Sequence, residues 1–435
     1  VCDKNKERKE SHMFASQFKS ISRKLLPTRF NNKRALSRSS SSASQNSRMR
    51  TVARTPISAN LLHAQSIPSN SSFKHRSFST STSARQTVQA NSFTTNYTPE
   101  EQDILYSHQK LTNKVVTIFG ASSMLGIQVT DRLSSDRTAR VMIPYRGNYE
   151  KVIRHRVPGI AGQNVLACYD PTNFEDIFEL CVRSDIVINL IGRDTDGTTR
   201  RETIENTNEG TVEMIAKACA DAGVERFIHV SALGADENSE SRFLRSKAKG
   251  EYLVRRHFPD VTIVRPAHMY GDGCRFTGHM GRSLRQYGGI PILKRGVAKM
   301  SPITYGDVGK AIDRLVVNTD TIAETFELAG DETYKYKELA YIAARYINTT
   351  PSTYPMAYPV AKFLGHVNDF WFWNDKRFTS DWVERLLIHN TLSGNYPGMK
   401  ELRLTPRAFR PSFARWLAIY RKGGVMERQG VEEEL

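Results

Sequence analysis

From Lys114 the chain alternates short apolar runs with stretches of helical period. Val115-Val116-Thr117-Ile118-Phe119 is a β-branched and aromatic run, the signal of a buried strand. Gly120-Ala121-Ser122-Ser123-Met124-Leu125-Gly126 follows it, and an apolar helix pattern continues through Leu133. Further strands are predicted at 140–143, 164–167, 185–192, 226–231 and 261–266. Helices are predicted between them at 174–182, 203–222 and 242–257, with Gly223 closing the second. Repeating βα units of this length predict an α/β fold, a Rossmann-like, doubly wound parallel sheet. Ligands of such sheets bind at the carboxyl ends of the strands.

From about Cys274 the rhythm relaxes. A turn and edge segment at 288–292, a helix at 307–317 with Asp307 as N-cap, a strand at 325–328 and a helix at 336–346 are expected. The chain thus divides into a leader over 1–95, a nucleotide-binding Rossmann domain over 111–273, and a smaller C-terminal α+β region over 274–435. The last of these is expected to contact partners. Phe370-Trp371-Phe372-Trp373 cannot all face one core from a helix. Presentation to a partner or a lipid headgroup layer and a shared core plug are equally open for it. Basic residues around Phe409, Phe413, Trp416 and Tyr420 fit a membrane-facing or subunit-facing role, or a plain amphipathic helix.

Charge changes the picture of the leader. The 435 residues carry 62 Lys+Arg against 45 Asp+Glu, a balance of +17. Residues 1–95 hold 17 of these bases and 3 acids, so the remaining 45 and 42 leave the body at only +3. Nucleic-acid binding is therefore disfavoured, because it requires a basic face on the folded body. Residues 11–95 contain 13 bases, 21 Ser and no acid. Such a segment cannot bury enough apolar surface to order itself, and its composition is that of an organellar transit peptide. Phe14, Phe18, Ile21 and Leu25 form one helix face, interleaved with Lys19, Arg23 and Lys24. Cleavage is expected after Phe78 in Arg76-Ser77-Phe78-Ser79, and initiation at Met13. A generic basic tail is the competing reading. Removal of 1–78 would leave 46 bases and 42 acids. No CxxC pair occurs among the five cysteines, and no apolar run approaches the roughly 18 residues of a membrane span. His229, His257, His268 and His279 lack metal-ligand spacing.

Candidate chemistry sits at the strand ends. A strand, a Gly-rich turn and a helix place backbone N–H groups of Ser122, Ser123, Met124 and Leu125 at a helix N-terminus, where they suit a pyrophosphate. Gly120 permits the tight turn and Gly126 lets the helix pack on the strand; Ser123 stands where the middle glycine is usual. No acid follows the second strand. Tyr145 and Arg146 do, and a guanidinium suits a 2′-phosphate, which favours NADP(H) over NAD(H), although a solvated arginine competes. Asp170 is placed to meet an adenine edge, and Leu190, Ile191 and Gly192 end the fourth strand. Ser231 and Pro266 end the fifth and sixth. His229 reads as a core histidine.

Together these residues resemble the extended, atypical branch of the short-chain dehydrogenase/reductase family. The likeness rests on Gly120–Gly126, Val230-Ser231-Ala232, Ser246-Lys247-Ala248-Lys249-Gly250-Glu251, Arg265-Pro266, Tyr270-Gly271 and Ser301-Pro302-Ile303 with Asp307-Val308. It implies that Lys247 holds the active-site lysine position. Active members set a tyrosine four residues before that lysine, so both face the nicotinamide and the phenol serves as acid or base. Phe243 stands there instead, and Tyr252 lies on the wrong side of Lys247. No catalytic residue is therefore expected. Ile143-Pro144-Tyr145-Arg146 and Val187-Ile188-Asn189-Leu190-Ile191-Gly192-Arg193 are similar to the dehydrogenase-like accessory subunits of mitochondrial complex I. That resemblance implies one tightly held structural NADPH, other complex I subunits as partners, and a peripheral matrix-side position near the quinone-site region. An NADP-dependent mitochondrial reductase or epimerase and an NADPH-sensing scaffold are the competing functions.

Overall fold

The computed structural model describes residues 114–135, 139–147, 149–197, 202–350, 353–370 and 378–421. The leader with its amphipathic stretch and cleavage point, the aromatics Trp371, Phe372 and Trp373, and the acidic end at 432–434 lie outside the described residues.

Six strands carry the nucleotide-binding half: β1 (Val115–Phe119), β2 (Arg140–Tyr145), β3 (Asn164–Cys168), β4 (Ile186–Asn189), β5 (Arg226–Val230) and β6 (Thr262–Pro266). A seventh, β7 (Thr325–Leu328), returns from the C-terminal region. They form one parallel sheet in the order β7-β6-β5-β4-β1-β2-β3. The doubly wound sheet expected from the βα rhythm is thus present. The order reverses between β1 and β4, where Phe119 pairs in register with Asn189. Neighbouring connections leave in opposite directions there, so a crevice opens at the strand ends.

Each face is covered by helices, which explains why the strands read as unbroken apolar runs. On one face Val116 and Ile118 meet α1 (Met124–Ser135) and α6 (Tyr305–Val317) through Val129, Leu133, Ile312 and Leu315. On the other, Phe119 and Phe227 meet α2 (Phe174–Val182), α3 (Val212–Ala222) and α4 (Arg242–His257). The C-terminal region builds a separate apolar cluster. It comes from α5 (Arg275–Tyr287), α7 (Tyr336–Tyr346), α8 (Tyr358–Phe370), α9 (Ser380–Arg385) and α10 (Phe409–Leu417), with Trp382 and Phe413 at its centre.

Two local expectations are corrected. The helix expected over 203–222 begins at Ile204 and passes through a π-helical stretch, Asn206–Thr211, before α3 (Val212–Ala222). α6 begins at Tyr305, two residues before the expected start, and its N-cap is Thr304, whose hydroxyl accepts from the Asp307 N–H at 3.0 Å. Asp307 is inside the first turn, and its carboxylate accepts the Arg407 N–H instead. From beyond 273, α6 and β7 complete the main sheet and its cover.

Candidate functional site

The Gly-rich turn lies at the mouth of the crevice. Gly120 has φ +84°, and a Cβ there would come within 3.0 Å of the Leu190 and Ile191 backbone. β1 and β4 therefore end in close contact, which only glycine allows in this left-handed conformation. At Gly126 a Cβ would lie 2.4–2.5 Å from the backbone of Ala121. The absence of a side chain lets α1 start directly against the turn. Ser123, in place of the middle glycine, caps α1: its Oγ accepts from the Gly126 N–H at 3.0 Å. Its hydroxyl hydrogen remains for an outward acceptor. The turn keeps the local geometry of an anion cradle at a helix start.

Beside the turn lies a cavity of about 340 Å³. Ser123, Met124, Leu125, Leu190, Gly192, Ser231, Lys247 and Pro266, all sequence candidates, line it. Gly120, Ser122, Gly126 and Ile191 sit in the turn or strand end behind this lining, and Tyr145, Arg146 and Asp170 lie outside it. Arg146 follows β2, more than half exposed, and its Nη1 meets Glu202 at 3.1 Å. Asp170 follows β3; its Oδ1 accepts from the Thr172 N–H at 2.9 Å and from the Thr172 hydroxyl at 2.7 Å. The carboxylate is thus held by its own turn after β3.

Lys247, on α4, is fully buried. Its Nζ donates to the carbonyls of Val230 at 3.1 Å and Ile191 at 3.4 Å. Burial lowers its pKa to about 8, with Glu251 pulling the other way. Gly192 allows this reach, for a Cβ there would stand 2.7 Å from Nζ. Ser231 Oγ, also buried, has no hydrogen-bond partner among the described residues and aims into the cavity lining. An orphaned buried hydroxyl beside a fixed amine fits a polar group such as a ribose or carboxamide. His229 is wholly buried within β5, with burial and then Lys247 driving its pKa well below the ordinary value. It is a core histidine, as expected.

The far wall comes from the C-terminal region. Phe243 has the Arg385 guanidinium 4.7 Å from its ring centroid. Asp381, one turn earlier on α9, accepts from the Ser241 hydroxyl at 2.9 Å and the Phe243 N–H at 3.3 Å. Asp194 joins Arg275 at 2.5 Å and Arg385 at 3.5 Å. Burial pushes the Asp194 carboxyl up, but the two guanidiniums outweigh it and hold it below the usual carboxylate range. His268 also faces the cavity, and burial, then Arg385, lowers its pKa to about 4, so it is neutral at physiological pH.

Asn208 was missed in the sequence. On the π-helical stretch, it accepts from the Arg193 N–H at 2.8 Å and donates to the Arg193 carbonyl and the Ser246 hydroxyl, each at 2.9 Å. It ties the end of β4 to the helix that carries Lys247. A π-helical turn is itself a frequent marker of functional positions, but its wider hydrogen bonding leaves no signature in residue spacing. Among the described residues no group of three His, Cys, Asp or Glu side chains is placed to hold a metal ion, and no helix is long and apolar enough to cross a membrane.

These features define a class: an α/β protein with a Rossmann-like, doubly wound parallel sheet. Residues 120–300 match the family model described as NAD(P)H-binding. Two solved structures share the fold alone. A nucleoside-diphosphate-sugar epimerase from Staphylococcus aureus aligns with TM-score 0.55 at 18% identity, covering 69% of this chain and 99% of that one. A dTDP-glucose 4,6-dehydratase from Streptomyces venezuelae aligns with TM-score 0.51 at 16% identity, covering 70% and 96%.

Sequence relatives narrow the class. The chain is 34% identical over 296 residues to the mitochondrial NADH dehydrogenase (ubiquinone) 1 alpha subcomplex subunit 9 of Rattus norvegicus, covering 67% of this chain and 76% of the relative. It is 30% identical over 330 residues to the Arabidopsis thaliana protein of the same name, covering 74% and 81%. It is 33% identical over 313 residues to the mitochondrial NADH-ubiquinone oxidoreductase 40 kDa subunit of Neurospora crassa, covering 72% and 80%. The chain belongs to this family of mitochondrial complex I subunits.

Proposed function

We propose that this chain is a non-catalytic subunit of mitochondrial respiratory complex I that holds one NADPH as a structural element. On this reading it sits peripherally on the matrix side, contacts other complex I subunits, and supports the assembly near the quinone site. Family membership supports the assembly. Phenylalanine in place of tyrosine four residues before Lys247 supports the lack of catalysis.

The second point is carried by Phe243. It stands four residues before Lys247, on the same face of α4, and its ring has no proton to give or take. α9 closes over it: Arg385 lies across the ring and Asp381 takes the Phe243 N–H. Lys247 donates two of its three ammonium protons to backbone carbonyls, which position it without a phenol to activate. Bound NADPH would supply hydride chemistry only if a proton donor completed the pair. What this chain's residues do is bind and orient. The α1 turn receives the diphosphate, Arg146 the 2′-phosphate, and Ser231 with Lys247 the nicotinamide ribose end. A ligand that binds only the folded state stabilises it by mass action, so occupancy becomes part of the subunit's stability.

The test is turnover. The wild-type full chain mixed with NADPH and a panel of aldehydes, ketones and sugar nucleotides is expected to oxidise no NADPH, and Phe243→Tyr is expected to leave complex I respiration unchanged. Steady oxidation of NADPH by the wild-type chain with any of these carbonyl substrates would remove the non-catalytic reading.

A further inference from the structure

Glu202 stands between two arginines of the nucleotide crevice. One carboxylate oxygen is 3.1 Å from Arg146 Nη1 and the other is 3.3 Å from Arg193 Nη2. Arg146 follows β2, while Arg193 follows β4 and lines the cavity. Two cations from opposite sides of the switch point thus converge on one internal oxyanion. We propose that Glu202 is the internal counter-anion of a two-arginine phosphate subsite, and that it sets the chain's preference between 2′-phosphorylated and unphosphorylated dinucleotides.

The inference rests on the NADPH reading above and goes beyond it. Without Glu202 the two guanidiniums would be left close together with no shared partner, a repulsive arrangement. A phosphate dianion satisfies both and offers more acceptor oxygens than a carboxylate. Carboxylate and phosphate cannot hold the same two forks, so nucleotide with a 2′-phosphate binds by displacing Glu202 and loses that ion pair. A ribose 2′-hydroxyl is a donor, and a carboxylate accepts from it. Glu202 therefore works against the phosphorylated nucleotide and not against the other. The pairs are partly exposed, with Glu202 about one-third exposed at 32%, so the expected effect is modest.

Fluorescence titration of the nucleotide-free full chain with NADPH and with NADH tests this. Glu202→Gln is expected to bind NADPH about threefold to tenfold tighter and NADH no tighter. Arg193→Leu is expected to weaken NADPH about threefold or more and to spare NADH. Unchanged or weaker NADPH binding in Glu202→Gln, an equal gain for both nucleotides, or an Arg193→Leu chain with wild-type NADPH affinity would each overturn the proposal. Arg146→Leu separates the two layers. If the wild type shows no NADPH preference and Arg146→Leu changes nothing, the NADPH reading itself has failed. If the preference exists and Arg146→Leu abolishes it while Glu202→Gln is silent, only the role of Glu202 has failed.

Discussion

Gly126 and Lys247 show how single residues set the site. A methyl group at Gly126 would enter the Ala121 backbone, so α1 would have to move off the turn. Gly126→Ala is expected to cost about 2–4 kcal/mol, read from chemical unfolding, and to abolish nucleotide retention. Lys247 makes a prediction in pH. Its folded-state pKa is near 8, below its ordinary 10.5, so between these values the unfolded chain binds the extra proton. Its contribution to stability is therefore full above the ordinary value and is lost as pH falls through the folded one. Nucleotide-free wild type is expected to gain stability relative to Lys247→Met as pH rises from 8 towards 10, by on the order of 2 kcal/mol. Parallel curves for the two proteins would show that burial does not depress the amine. Gly126 was legible in the sequence because a Gly-rich turn after a strand is a local pattern, and Lys247 through the resemblance carried by Ser246–Glu251. Glu202 was not, since nothing in its neighbourhood says that it meets Arg146, which precedes it by 56 residues.

At the scale of elements, β4, the π-helical stretch and α4 act as one support. Asn208 bonds both backbone groups of Arg193 and the hydroxyl of Ser246, one residue before Lys247. Asn208→Ala removes the partner of the Arg193 N–H and carbonyl, while the Ser246 hydroxyl keeps only its bond to the Phe243 carbonyl. Thermal unfolding should report a loss of about 2–4 kcal/mol, together with weaker nucleotide binding. Loss of stability with wild-type affinity would limit Asn208 to a structural role. The βα alternation gave the order of these elements because strands and helices differ in apolar period over short windows. It could not show the π-helical start of 206–211, where the period is that of neither. Nor could it place α9 over Phe243, since the Ser241–Asp381 bond that pins it spans 140 residues and depends on the whole C-terminal region folding back.

For the whole molecule, the charge partition and the fold point the same way. The folded body is nearly neutral, with its site cations held in a crevice and the bulk of the positive balance in residues 1–95. The sheet opens a crevice at its switch point, and the C-terminal region lays Arg385 over Phe243 at the edge of the cavity there. On the proposed reading, a dehydrogenase-like scaffold with Phe243 in the tyrosine position retains a nucleotide, and that retention serves the assembly. The nucleotide content of complex I purified from mitochondria that carry this chain tests that account most directly. About one NADPH per complex is expected with the wild-type chain, from the crevice at the sheet's switch point. None is expected with Arg146→Glu, whose chain should also be lost from the complex on native electrophoresis. Equal NADPH in both preparations, or migration of the wild-type chain apart from complex I, would contradict it.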